Sequence, residues 1–284
     1  MTESNPGIVS VQYLADALRE RPESIRVLDG SWHLPSSGRD AEREFAVAHI
    51  AGAQRFDIDA IADSNTELPH MLPTPEAFAA AASALGIDGG REVVVYDTLG
   101  LFSAARVWWM FRVFGHDRVR VLDGGLPAWR GAGLPLSADR VTVDARIFSA
   151  SYRPQLVADL AQMRAWVDAG SIQVLDARPA ARFHMRVPEP RPGVRPGRMP
   201  GARNLPITEL LTAEGKLRDK SELGRVLEAA NVDASARSVC SCGSGVTACI
   251  IALALYELGQ DAAVVYDGSW TEWGGRDDTP IETA

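Results

Sequence analysis

The chain is short of features that would place it in several broad classes. It has three cysteines, Cys240, Cys242 and Cys249, all inside one ten-residue window, so no disulfide framework can extend across the fold. Their clustering points to a single site. An excess of positive charge is also missing. With 29 Lys and Arg against 37 Asp and Glu, the formal charge is -8 and the pI near 5.2. Nucleic-acid phosphates are met by clustered Lys and Arg, so no nucleic-acid partner is expected. No apolar run approaches the roughly 20 residues that span a bilayer, and the Met1 to Pro6 start is polar, without a basic or apolar leader pattern. The expectation is a cytoplasmic protein with no membrane partner.

What is present is an ordinary globular composition, 46% hydrophobic and 23% charged, over 284 residues, which exceeds the usual single-domain length. The chain also repeats itself. Ile25-Arg26-Val27-Leu28-Asp29 returns as Ile172-Gln173-Val174-Leu175-Asp176, and His49-Ile50-Ala51-Gly52-Ala53 as Arg198-Met199-Pro200-Gly201-Ala202. Val93-Val94-Val95-Tyr96-Asp97 answers to Ser238-Val239-Cys240-Ser241-Cys242, each followed by a loop and an apolar run with helical patterning. Leu122-Asp123-Gly124-Gly125 with Trp129 matches Tyr266-Asp267-Gly268-Ser269 with Trp273.

Within each half, short Val/Ile/Leu-rich strands alternate with helical patterns at Val11 to Arg19, Pro75 to Leu85, Leu156 to Ala169 and Ser221 to Ala230. This alternation predicts an α/β fold, duplicated in tandem, each copy a mostly parallel sheet with helices on both faces. Gly131 to Pro154 is rich in Gly, Pro, Ser and Ala and reads as the linker, which puts the domains at residues 1–145 and 146–284. Trp108 and Trp109, beside Val107 and Phe111, read as core.

In α/β domains of this kind, function collects where a strand's carboxyl end turns into the next helix, and Cys242 sits at such a turn. The Gly243-Ser244-Gly245 loop lets successive N–H groups face one anion, and the helix beginning near Val246 adds its positive end. A Cys thiol, with an ordinary pKa of roughly 8.5, would be shifted toward the nucleophilic thiolate there. Cys240, inside the strand, and Cys249, in the apolar helix, read instead as packed thiols. A phosphatase-type loop needs an Arg six residues after the Cys, and that position is Ala248. Cys240 and Cys242 alternate across the strand, so they do not converge on zinc, and no metal or other cofactor is expected.

These features together resemble the two-domain rhodanese family, whose carboxyl-terminal domain carries the active Cys and whose amino-terminal copy does not. Here Asp97 holds the matching position in the first half. The loop Cys242-Gly243-Ser244-Gly245-Val246-Thr247 is similar to that of the 3-mercaptopyruvate sulfurtransferase type, whereas thiosulfate-preferring members typically carry a cationic Cys-Arg-Lys-Gly-Val-Thr loop. The resemblance implies that Cys242 is a persulfide-forming nucleophile held in a substrate loop of Gly243, Gly245, Val246 and Thr247. It places the two substrate-carboxylate arginines on Arg182 and Arg191, in Asp176-Ala177-Arg178 through Arg182-Phe183 and in Pro188-Glu189-Pro190-Arg191. It further implies a proton relay of Ser244, His70 and Asp59.

The implied reaction takes sulfur from a small-molecule donor and hands it to a thiol acceptor such as thioredoxin, or to cyanide. A thiosulfate sulfurtransferase and a non-turnover persulfide carrier or regulatory module are the alternatives. The sequence departs from the family pattern at Gly197-Arg198-Met199-Pro200-Gly201, where His-Ile usually stands for Arg198-Met199. It also departs at Ala51, where Pro is common, and at His184-Met185-Arg186-Val187.

Overall fold

The structure is a computed structural model that describes residues 6–283, so most of the polar start, Met1 to Asn5, lies outside the described residues. Its contacts divide it into two units. The first comprises Met1–Ala62, Leu72–Arg153 and Ala213–Leu217, and the second Asp63–Met71, Pro154–Thr212 and Arg218–Ala284.

The first unit is built on a five-stranded sheet in the spatial order Ile8–Val9, Val119–Leu122, Glu92–Tyr96, Ile25–Asp29, Gln54–Arg55, with every neighbouring pair parallel. A separate antiparallel pair joins His49–Ile50 to Leu136–Ser137. The second unit repeats the design. Its sheet runs Val157–Ala158, Val264–Tyr266, Ser238–Ser241, Gln173–Asp176, Arg203–Asn204, again parallel throughout. In the first, Tyr96 lies opposite Asp29, and in the second Ser241 lies opposite Asp176. Asp97 and Cys242 therefore leave their sheets at the same point.

Successive strand side chains point to opposite faces, and both faces are covered. In the first unit Val94 and Tyr96 pack with Leu14, Phe45 and Trp129, which come from three helices. On the other face Val95 and the helix Ala104–Val113 meet at Gly30, where a Cβ would come 2.8 Å from Val107 and 3.0 Å from Val95. In the second unit Val239 packs with Met163, Trp270 and Trp273. Trp129 and Trp273 hold the same place in the two copies, and each indole N–H closes a local loop, on the Pro135 carbonyl at 3.0 Å and the Pro280 carbonyl at 2.8 Å. Trp108 and Trp109 are buried in the first core, under the guanidinium groups of Arg112 and Arg106.

Local chemistry sets several helix boundaries. Thr74 caps Pro75–Ala84, whose first residue is a proline with no N–H to satisfy. Asp219 and Glu222 form a capping box at Lys220–Ala229. The pattern over Leu156 to Ala169 becomes a helix only from Leu160. Pro154–Leu156 is a single 3₁₀ turn, Val157–Ala158 is taken by the edge strand, and Asp159 then caps with Gln162 in a second capping box. Residues 138–153 carry no helix or strand.

Candidate active site

The strand Ser238–Ser241 is buried at all four positions and lies in the middle of the second sheet, so the residue that follows it emerges at the centre of the carboxyl edge. That residue is Cys242, with 2% of its surface exposed. Gly245 adopts φ +77°, a left-handed value that glycine accepts without steric cost, and the chain then enters the helix Ala248–Glu257. The Cys249 thiol, one turn into the region, donates to the Gly245 carbonyl at 3.3 Å. Cys240 is fully buried, and its thiol is pushed well above the ordinary value by burial first and then by Cys249 and Cys242. It stays a thiol.

A second element fixes the Cys242-Gly243 backbone from outside the loop. The helix Ser269–Gly275 presents its first turn to it. The Cys242 N–H donates to Ser269 Oγ at 3.2 Å, and that hydroxyl donates in turn to the Tyr266 carbonyl at 2.9 Å. The Cys242 carbonyl accepts from the Trp270 N–H at 3.0 Å. The Gly243 carbonyl accepts twice from Thr271, from N–H at 2.8 Å and from the hydroxyl at 2.6 Å. Ser269 makes its bonds from φ +51°, a left-handed conformation that costs a non-glycine residue on the order of 1 kcal/mol.

Of the two arginines expected to meet substrate, one lies against Gly243 and the other against Thr271, which bonds the Gly243 carbonyl. A Cβ on Gly243 would lie 3.3 Å from Arg182 Nη2 and 3.5 Å from Nη1, so the absence of a side chain there makes room for the guanidinium group. Arg191 Nη1 reaches Thr271 Oγ1 at 3.5 Å. Arg182 is held by an ion pair with Glu189, which is itself buried and also accepts from Arg178 Nη1 at 2.9 Å. Arg178 has no exposed side-chain surface. It bonds Asp176 at 2.8 Å and the Gly197 carbonyl at 2.9 Å, and its guanidinium lies 4.2 Å from the Trp270 ring centre. A buried charge is tolerated only when its donors are met, and here they are.

Of the other expected residues, Ser244 is buried in the loop with 7% exposure, Val246 is buried and Thr247 precedes the helix as its N-cap. His70 is buried, has φ +63°, and belongs to the second unit with Cys242. Asp59 belongs to the first unit, where its carboxylate accepts the Trp32 indole N–H at 2.8 Å. Asp57 Oδ1 accepts from the N–H groups of Asp59 and Ala60 in a turn. Among the described residues no three His, Cys, Asp or Glu side chains gather as a metal centre would require, and no helix is long and apolar enough to cross a membrane.

Ser269, Thr271, Arg178 and Glu189 also belong to the site, beyond the residues to which the sequence points. Three of the four fall within its motifs, Ser269 at the end of the repeated Tyr266-Asp267-Gly268-Ser269 block.

In the first unit the same loop closes on a carboxylate. Asp97 Oδ2 accepts three backbone N–H groups, Phe102 at 2.7 Å, Ser103 at 2.9 Å and Ala104 at 2.9 Å, while Oδ1 accepts Leu99 N–H at 2.9 Å. The Asp97 carbonyl accepts Leu126 N–H at 2.9 Å, as the Cys242 carbonyl accepts from Trp270. This strand-loop-helix turn is thus an anion cradle by its own geometry.

Two copies of one parallel α/β design, each with such a turn at the same strand end, define the class. The model of the rhodanese-like domain matches residues 38–132 and 159–276, and the chain belongs to the rhodanese family. It is 44% identical over 297 residues to "Thiosulfate/3-mercaptopyruvate sulfurtransferase 1, mitochondrial" of Arabidopsis thaliana, covering 97% of this chain and 78% of that protein. It is 41% identical over 280 residues to the 3-mercaptopyruvate sulfurtransferase of Escherichia coli strain K12, covering 98% and 99%. The crystal structure of SseA from Escherichia coli, described with the rhodanese fold, superposes with a TM-score of 0.85 at 38% identity, over 93% of this chain and 99% of that one.

Proposed function

We propose that the protein is a 3-mercaptopyruvate sulfurtransferase working through a persulfide on Cys242. The observation that carries this reading is the site's division of labour. The Cys242 sulfur stands at the strand end where the first unit's matching loop holds the Asp97 carboxylate, in an uncharged Gly243-Ser244 loop, and the positive charge comes from Arg182 beside Gly243 and Arg191 beside Thr271. Two guanidinium groups match a planar α-keto carboxylate through paired N–H donors.

In the proposed reaction the Cys242 thiolate attacks the substrate sulfur, an S–S bond forms, and the C–S bond breaks with its electron pair passing to the enolate of pyruvate. The proton leaving the substrate thiol ends on the enolate carbon. Ser244 and His70 are proposed to move it, with Asp59 orienting the imidazole. Residues 1–145 would then form a domain without a nucleophile and residues 146–284 the catalytic one. A thiol such as thioredoxin, or cyanide, removes the outer sulfur and restores Cys242. The relatives named for these activities support an enzyme of this type; a cytoplasmic location is part of the proposal, although the Arabidopsis thaliana relative is named mitochondrial.

Intact-protein mass spectrometry after exposure to mercaptopyruvate tests the reading. One added sulfur is expected on the wild type and none on Cys242→Ser; an unmodified wild type would sink it. A second reading, thiosulfate as preferred donor, draws on the dual name of the Arabidopsis thaliana relative. Parallel steady-state rates with the two donors decide between them, and a higher kcat/KM for thiosulfate overturns the first.

A further inference from the structure

We propose that the first unit keeps a separate, non-catalytic binding site for a small organic carboxylate, in a pocket that duplicates the position of the substrate pocket. An open cavity of about 780 Å³ lies beside Thr98, the residue that follows Asp97 as Gly243 follows Cys242. Leu126 and Pro127 line it, and they stand where Trp270 and Thr271 stand in the second unit, since Leu126 N–H bonds the Asp97 carbonyl as Trp270 N–H bonds that of Cys242. The pairing of an arginine with a glutamate recurs too. Arg39 donates to Thr98 Oγ1 at 3.1 Å and to both oxygens of Glu44 at 2.7 Å, as Arg182 lies at Gly243 and pairs with Glu189.

Two differences determine what this pocket can do. First, the cradle is already filled by the Asp97 carboxylate, so the site has no nucleophile and a ligand's anionic end cannot bind the loop. Second, two further arginines line the cavity, Arg43 and Arg130, and neither makes an ion pair within the described residues. The acidic groups nearby are committed elsewhere. Glu44 is held by Arg39 and by His33 at 3.0 Å, and Asp40 caps the helix Ala41–Val47 by accepting from the Arg43 N–H at 3.0 Å. With Arg39 and Glu44 paired, Arg43 and Arg130 stand against Asp40 alone and leave the lining with a net positive charge.

The rest of the lining sets the ligand class. Val47, Ala48, Leu126 and Pro127 give the cavity an aliphatic wall, and its volume exceeds what a bare inorganic oxoanion fills. A short carbon chain ending in a carboxylate satisfies both the wall and the two guanidinium groups. Bound there, it undergoes no sulfur transfer. The site does not depend on which donor loads Cys242.

Calorimetric titration of the full-length protein with pyruvate at low ionic strength tests the proposal. Two binding events are expected in the wild type. Arg182→Ala should remove one, and the double variant Arg43→Ala with Arg130→Ala should weaken the other by about tenfold or more. The double variant should keep wild-type sulfur transfer and an unchanged melting temperature. A single event in the wild type that Arg182→Ala abolishes overturns the proposal, as does a double variant that still binds two equivalents unweakened. Sulfate should bind this site more weakly than pyruvate, because it leaves the aliphatic wall uncovered; sulfate binding as tightly as or more tightly than pyruvate overturns the assignment to an organic carboxylate.

Discussion

The two turns that begin at Asp97 and Cys242 share a fold and differ in what they hold. In the first unit a carboxylate built into the chain saturates four inward N–H groups. In the second, the corresponding position carries a thiol with no acidic side chain to fill the cradle, and the surrounding arginines face a loop that is small at Gly243. The same backbone thus serves stability in one copy and chemistry in the other. An anion that never leaves is a structural element, whereas an anion that forms and is discharged can be part of a catalytic cycle.

Substitutions at the two positions should therefore fail in different ways. The largest effect is expected for Cys242→Ser, which should lower sulfur transfer by on the order of 10³-fold or more while changing unfolding free energy by less than about 1 kcal/mol. Asp97→Ala reverses this pattern. It leaves buried N–H groups without an acceptor and should cost about 3 to 5 kcal/mol in urea unfolding, with kcat of the folded fraction near wild type. A stable Asp97→Ala protein would show that the first cradle does not need its anion.

Smaller changes sharpen the contrast. Arg182→Lys should lower kcat/KM for mercaptopyruvate by about 10²-fold, because an ammonium point charge cannot reproduce the guanidinium fork. Stopped rates close to wild type would remove Arg182 from the substrate. Thr271→Val keeps the N–H bond to Gly243 and loses the hydroxyl bond, so a loss of about tenfold in kcat is expected with KM moved by the missing contact to Arg191.

The smallest effect concerns pH. Glu44 is lowered from 4.5 to about 2, chiefly by its bonds to Arg39 and then to His33. A depressed carboxylate pKa stabilises the fold above the unfolded value and loses that contribution as pH falls from 4.5 toward 2. Glu44→Gln should flatten the acid limb of the stability curve in that window, and an unaltered limb would show the ion pair to be inert.

Much of this was legible in the sequence because it rests on local pattern. The repeated strand blocks, with Trp129 and Trp273 behind them, place both sheets in register, and Cys242 follows from a strand end and its glycines. The apolar helical run that carries Val107 and Phe111 also puts Trp108 and Trp109 in the core. What the pattern could not convey is non-local. Ser269 and Thr271 act through backbone groups 27 and 28 residues away, and nothing in their own neighbourhood announces it. Arg178 looks like a surface charge in a turn, yet it is the best-buried arginine of the second unit, because Asp176, Glu189 and the Trp270 ring surround it. The sequence pattern starts the helix at Leu156 rather than Leu160 for a related reason: Val157 and Ala158 are as apolar as the helix, and only their pairing with the Val264–Tyr266 strand withdraws them.

Gly125 and Ser269 occupy one position in the two copies, at φ +53° and +51°. A Cβ at Gly125 would come 2.3 Å from the Asp97 carbonyl, so the first copy admits glycine there, while the second tolerates serine and uses its hydroxyl to hold the Cys242 amide. Placing a thiol at Asp97 would still leave Thr98 in place of Gly243 and no hydroxyl at Gly125. Converting the first turn into a copy of the second therefore takes several coordinated substitutions, so no single exchange can move the chemistry from one unit to the other.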